Sequence, residues 1–129
     1  HYECLTKNVG MDVETHQLAV GSESKLISLN SDRHTQSKRV VGTGDIPMIT
    51  LDSLQIEDAD LIKIDVEGLE MQVLEGAKQT LNKAQFIMIE LNNNSKKYGS
   101  SNGHIEEYLD SIGWKELMNH WPDKVFVKK

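Results

Sequence analysis

Cysteine is almost absent: Cys4 is alone in 129 residues. One thiol excludes an internal disulfide and a cysteine-built zinc site. With no identifiable activating base nearby in sequence, Cys4 is expected to be inert. Long apolar runs are missing too. Nothing approaches the roughly 20 residues that cross a bilayer, and no signal-peptide pattern opens the chain, so no membrane partner is expected and the protein reads as soluble and cytoplasmic. Basic residues are outnumbered 14 to 20, for a net charge of −6. That balance opposes the phosphate neutralisation on which nucleic-acid binding depends. The five histidines, at 1, 16, 34, 104 and 120, lack the H-x-x-x-H type of spacing that binds zinc, so no metal centre is expected from them. The length allows one domain with a modest core.

What is present is a run of elements. Tyr2, Leu5 and Val9 suggest the tail of a helix, and "VETHQLAVG" (13–21) a short strand. Residues 22–45 carry two short apolar pieces, LISL and RVV, among Ser, Asn, Asp and Gly, and read as an exposed hairpin or mobile loop. In "LIKIDVEGLEMQVLEGAKQTL" (61–81), Ile62, Ile64 and Val66 alternate with Leu61, Lys63, Asp65 and Glu67, the pattern of a strand with two faces. Gly68 lets the chain turn. Val73, Leu74, Ala77 and Leu81 then form a helical stripe, with Glu70 mainly outside it. "AQFIMIELN" (84–92) is a second strand, so that strand, helix and strand make a βαβ unit with parallel strands. Ile105, Tyr108, Leu109 and Ile112 mark a further helix over 104–113, with Gly113 as its stop. Two short strands around Pro122 and Asp123 close the chain. The expected fold is α/β, with a parallel βαβ core and an antiparallel C-terminal hairpin.

Ligands bind such sheets at the C-terminal ends of the parallel strands. Asp65 and Glu67 close one strand and Glu90 closes its neighbour, so three carboxylates are expected at one edge. Strands about 4.8 Å apart bring Asp65 and Glu90 near enough for one to raise the pKa of the other, which suits a general base. The plain alternatives are that Glu67 caps the following helix, that Glu90 is solvated, and that Lys63 is the structural partner of Asp65. Asn92, Asn93 and His104, in or beside the loop that follows Glu90, are candidate substrate contacts. Trp114 and Trp121 read as packing and hairpin residues rather than a stacking platform, with exposure left open for Trp121 beside Pro122.

"TLDSL", then "DLIKIDVEGLEMQVLEGAKQTL", then "FIMIELN" together resemble the signature block of the FkbM family of S-adenosylmethionine-dependent methyltransferases. The residues that carry the likeness are Lys63, Ile64, Asp65, Val66, Glu67, Gly68, Glu70, Val73, Leu74, Gly76, Ala77 and Glu90. "ECLTKNV" and "LAVGSESKLISL" resemble the segments that follow the family's second strand and form its third. The resemblance implies a Rossmann-like class I methyltransferase sheet, with S-adenosylmethionine as cofactor and methyl transfer to a hydroxyl of a sugar or polyketide-type acceptor. It implies Asp65, Glu67 and Glu90 as catalytic residues, and Val20, Gly21 and Asp65 as cofactor contacts.

The family's first strand with its glycine-rich turn has no counterpart here, nor does the acidic residue that ends its second strand. "VGTG" (41–44) follows a basic loop and precedes Pro47, so it does not substitute. The chain therefore reads as a single partial domain: residues 1–50 hold the third-strand region and its loop, and 51–129 the βαβ core and hairpin. Two missing strands leave a gap of roughly 10–15 Å at the usual spacing. Residues 1–50 are accordingly expected to be poorly anchored, to repack against the edge of the 61–67 strand, or to pair with another chain. A homo-oligomer through that open edge is one expectation. The alternatives to a methyltransferase are a Mg-dependent phosphate-ester hydrolase using Asp65 and Glu67, and a noncatalytic partner-binding remnant.

Overall fold

The computed structural model describes residues 2–10, 12–31 and 38–129. Expectations for His1 and His34, and the part of the 22–45 reading that falls on 32–37, lie outside the described residues. Helix α1 (Tyr2–Asn8) forms where the Tyr2, Leu5, Val9 spacing predicts one, and it buries none of its side chains. Strands β1 (Ala19–Val20), β2 (Lys25–Ser31) and β3 (Lys38–Ile49) make a three-stranded sheet in the order β1-β3-β2. Of the two readings of residues 22–45, the hairpin is the one that forms: β2 and β3 are antiparallel, and VGTG lies within β3. The β2–β3 register jumps from Ile27 opposite Ile46 to Ser28 opposite Val41, so residues 42–45 loop out of the ladder. Gly42, at φ +48°, supplies the left-handed turn of that bulge. Pro47 is tolerated because β1 pairs only with Met48 and Ile49, leaving one side of Pro47 free of ladder bonds.

Strands β4 (Ala59–Ile64), β5 (Ala84–Glu90), β6 (Trp114–His120) and β7 (Asp123–Lys128) form a second sheet in the order β4-β5-β7-β6. β4 and β5 are parallel and the β6–β7 hairpin is antiparallel, which is the core that the sequence predicts. Helices α2 (Glu70–Glu75), α3 (Lys78–Lys83) and α4 (Asn102–Ser111) lie on one face. There Ile64, Ile87, Ile89 and Phe126 meet Leu74, Leu81, Ile105 and Leu109 in a single apolar cluster. Trp114 is buried in the same cluster, whereas Trp121 is exposed. Ser101 caps α4 by accepting the His104 N–H at 3.2 Å, so this helix starts two residues before His104. Gly113, at φ +91°, ends it as expected. No helix among the described residues is long and apolar enough to cross a membrane.

The helix expected as one unit after Gly68 is two, broken at Gly76 and Ala77. Three contacts make the break. The Asp52 N–H takes the Gly76 carbonyl at 3.0 Å. The Asp52 carboxylate accepts the N–H groups of Gln79 (3.0 Å) and Thr80 (2.8 Å) and the Thr80 hydroxyl (2.9 Å), which caps a new helix N-terminus from a distance. Finally, the Gly21 carbonyl lies so close to Gly76 that a Cβ there would overlap it. Burial resists ionisation of Asp52, but these hydrogen bonds and the nearby Lys83 outweigh it and hold its pKa below the usual carboxylate value.

The N-terminal segment meets the rest of the chain at a few points, and α1 buries no side chain. It forms its own sheet instead of pairing with the free edge of β4. Val20 packs against the core cluster, Gly21 seats on Gly76, and the Val40 N–H reaches the Tyr98 hydroxyl at 3.0 Å.

Candidate active site

β4 ends at Ile64, earlier than the alternation suggests. Asp65 and Val66 leave the ladder, Glu67 turns into the left-handed region at φ +55°, and Gly68 follows at φ +120°. Glu67 therefore does not continue the strand face shared by Leu61 and Lys63. A left-handed conformation in a non-glycine residue costs of order 1 kcal/mol. The turn is packed tightly from outside: a Cβ on Gly68 would stand 2.8 Å from the Asn94 carbonyl oxygen and 3.0 Å from the Tyr98 ring.

The carboxylates at this edge have different partners. Asp65 is exposed and pairs with Lys63 at 3.0 Å, the structural partnership considered from sequence. The hydrogen bond to Asp65, followed by its charge, raises the Lys63 pKa, with Asp123 and Glu90 adding to the effect. Glu67 is exposed and accepts from the Asn94 side chain at 2.7 Å. It does not cap α2, whose N-cap position, Leu69, has no side-chain cap. Glu90, half-buried at the end of β5, accepts from Asn92 at 3.1 Å. Among the described residues, neither Glu67 nor Glu90 forms a direct ion pair. Asp65 and Glu90 share no hydrogen bond, and a fourth carboxyl belongs to this edge.

That carboxyl is Glu70, expected to lie outside the helix stripe and found 2% exposed. Its Oε1 accepts the Gly68 N–H at 2.7 Å. Burial raises its pKa, and the charges of Glu67 and Glu90 add to the rise against two backbone hydrogen bonds. The signal available in the sequence was its place two residues after Glu-Gly, where a side chain can fold back onto the turn.

The other expected site residues divide. Asn92 belongs to the edge through Glu90 and also accepts the Asn94 N–H at 3.0 Å. Asn93 is exposed at φ +67° and serves as the hinge of a 3-10 turn over Asn94–Tyr98. His104 lies exposed in the first turn of α4, its Nδ1 3.3 Å from the Ser100 hydroxyl. Val20 and Gly21 are engaged in packing: the Gly21 N–H is bonded to the Ile49 carbonyl at 2.9 Å and its carbonyl faces Gly76. Among the described residues, no hydrogen bond joins Val20, Gly21 or His104 to the carboxylates. Asn94, like Glu70, is an edge residue that sequence reasoning missed. No group of three or more His, Cys, Asp or Glu among the described residues is disposed to hold a metal.

Comparison with known proteins adds one match. No curated protein and no solved structure matches the chain. A family model described as the methyltransferase FkbM domain matches residues 3–116. The match takes in the first sheet, the parallel β4–β5 pair, the Asp52 cap, the Gly76 contact and the four edge carboxylates, and stops within β6 before β7; on that extent the chain belongs to the FkbM methyltransferase family.

Proposed function

We propose that this domain serves S-adenosylmethionine-dependent O-methyl transfer to a hydroxyl of a sugar or polyketide-like acceptor, on a Rossmann-like sheet. The carrying observation is that Asp65, Glu67 and Glu90 stand at the C-terminal ends of the parallel β4–β5 pair in a chain of this family. S-adenosylmethionine presents an ammonium and ribose hydroxyls, which a carboxylate accepts, and the exposed Asp65 fits that chemistry. Gly21 fits poorly, because its carbonyl is committed to Gly76, so Asp65 is the cofactor contact that this geometry favours. When bound, the cofactor supplies an electrophilic methyl group. The chain's own task is to orient the acceptor hydroxyl and take its proton. Glu67 and Glu90 suit that task better than Asp65, whose charge is offset by Lys63. The family match lends no support to a phosphate-ester hydrolase.

Calorimetric titration with S-adenosylmethionine and S-adenosylhomocysteine tests the reading, followed by a panel of glycosides assayed for S-adenosylhomocysteine release. Binding that weakens at least tenfold in Asp65→Asn is expected. Absence of binding, or binding indifferent to that substitution, overturns the assignment of Asp65.

A further inference from the structure

Two of the edge carboxylates are held by neutral amides, and the amides are linked. The Asn92 side chain donates to Glu90 and accepts from the Asn94 backbone, while the Asn94 side chain donates to Glu67. Glu90, Asn92, Asn94 and Glu67 therefore form one continuous chain of hydrogen bonds from the end of β5 to the turn after β4. Two left-handed residues shape it: Asn93 turns the loop back toward β4, and Glu67 turns to meet it. The Asn94 carbonyl and the Tyr98 ring then close over Gly68.

An exposed glutamate on a turn ordinarily samples several rotamers. A lysine would restrain it but would also offset its charge, as Lys63 does for Asp65. An amide restrains the carboxylate and leaves its full charge for a ligand. We propose that Asn94 is a positioning residue, whose side-chain amide fixes Glu67 in one rotamer and, through Asn92, registers it against Glu90, so that the two carboxylates meet an acceptor as a preset pair. The catalytic meaning of that pair rests on the methyl-transfer reading above; the positioning itself does not.

The test is the Hα–Hβ three-bond coupling pattern of Glu67 by NMR in the full chain, in wild type and in Asn94→Ala. Wild type is expected to show the couplings of a single χ1 rotamer, either one large and one small or both small, and Asn94→Ala to show both averaged to intermediate values. Unchanged backbone amide shifts in β4 and β5 would show that the variant is folded. If it is not, Asn94→Ser keeps a short polar side chain and is measured instead, with the same averaging expected. Couplings already averaged in wild type, or unaltered in a folded variant, overturn the proposal. Glu67→Gln in the glycoside assay separates the two readings. Unchanged transfer there defeats the catalytic use of Glu67 while the coupling result stands. If Glu67→Gln abolishes transfer, Asn94→Ala is expected to lower kcat at least tenfold with cofactor affinity intact, and an unaltered kcat counts against the preset pair.

Discussion

At the scale of single residues, Glu70 is a buried carboxyl that serves a turn. Its pKa is raised in the fold, so the folded state binds its proton more tightly than the unfolded chain does. The stability it contributes is fully present below the unfolded value and is lost as pH rises through the folded one. Glu70→Gln keeps an oxygen for the Gly68 N–H and removes the charge. The variant is therefore expected to be more stable than wild type at pH 7 and to lose that advantage near pH 4, as read from urea midpoints across pH. An unchanged pH dependence refutes the assignment. Asp52 has the opposite sign. Its folded pKa is lowered, so its stabilisation is present above the unfolded value and disappears as pH falls through the folded one. Asp52→Ala removes the remote cap of α3 and is expected to cost about 1–2 kcal/mol at neutral pH by the usual worth of a helix cap, with the difference shrinking in acid.

At the scale of elements, the sequence disclosed what depends on local periodicity. The βαβ pair, the Val73–Leu81 stripe, α4 with its Gly113 stop and the closing hairpin all follow from spacing that one strand or helix imposes on itself. The break between α2 and α3 was not legible, because its causes are distant in sequence: Asp52 and Gly21 act on Gly76 and Thr80 from the other sheet and its exit. The early end of β4 and the role of Asn94 were hidden for the same reason, since Glu67 leaves the strand to meet a side chain 27 positions later. Three residues of the family string thereby gain structural explanations: Asp52 caps, Gly76 admits the Gly21 carbonyl, and Glu70 braces the Gly68 turn. Gly76→Ala tests the second. Its Cβ meets backbone that cannot swing away, so a loss of roughly 1–3 kcal/mol is expected. Amide exchange should show faster opening at Gly21 and Ile49 than at Ile87, because the added methyl pushes the first sheet away from α2 and leaves the interior of the second sheet untouched.

At the scale of the whole molecule, the second sheet is lopsided. Its helices cover one face, while on the other the strand registers line up Leu61, Phe86 and Val127 in one row and Met88, Val125 and Met118 in the next. Leu61 is 53% exposed, Phe86 36% and Met118 60%. Among the described residues β4 also lies at the edge of its sheet, with a row of backbone donors and acceptors beside Leu61 that no other strand pairs. Parallel strands are normally buried on both faces, and an apolar band of this kind favours association. Charge on that side stands at the margins of the band: Lys115 ends the first row opposite Val127, and Lys63 begins the second opposite Met88, within reach of Asp65, Glu90 and Asp123. Sedimentation velocity is therefore expected to show a weight-average coefficient that climbs with concentration for the wild-type chain. Leu61→Glu combined with Phe86→Glu should hold it at the monomer value, since both side chains are already open to solvent and their charge opposes contact without disturbing the buried face. A wild-type chain that stays monomeric up to several hundred micromolar defeats the idea, and self-association that survives both substitutions places the interface elsewhere on the molecule.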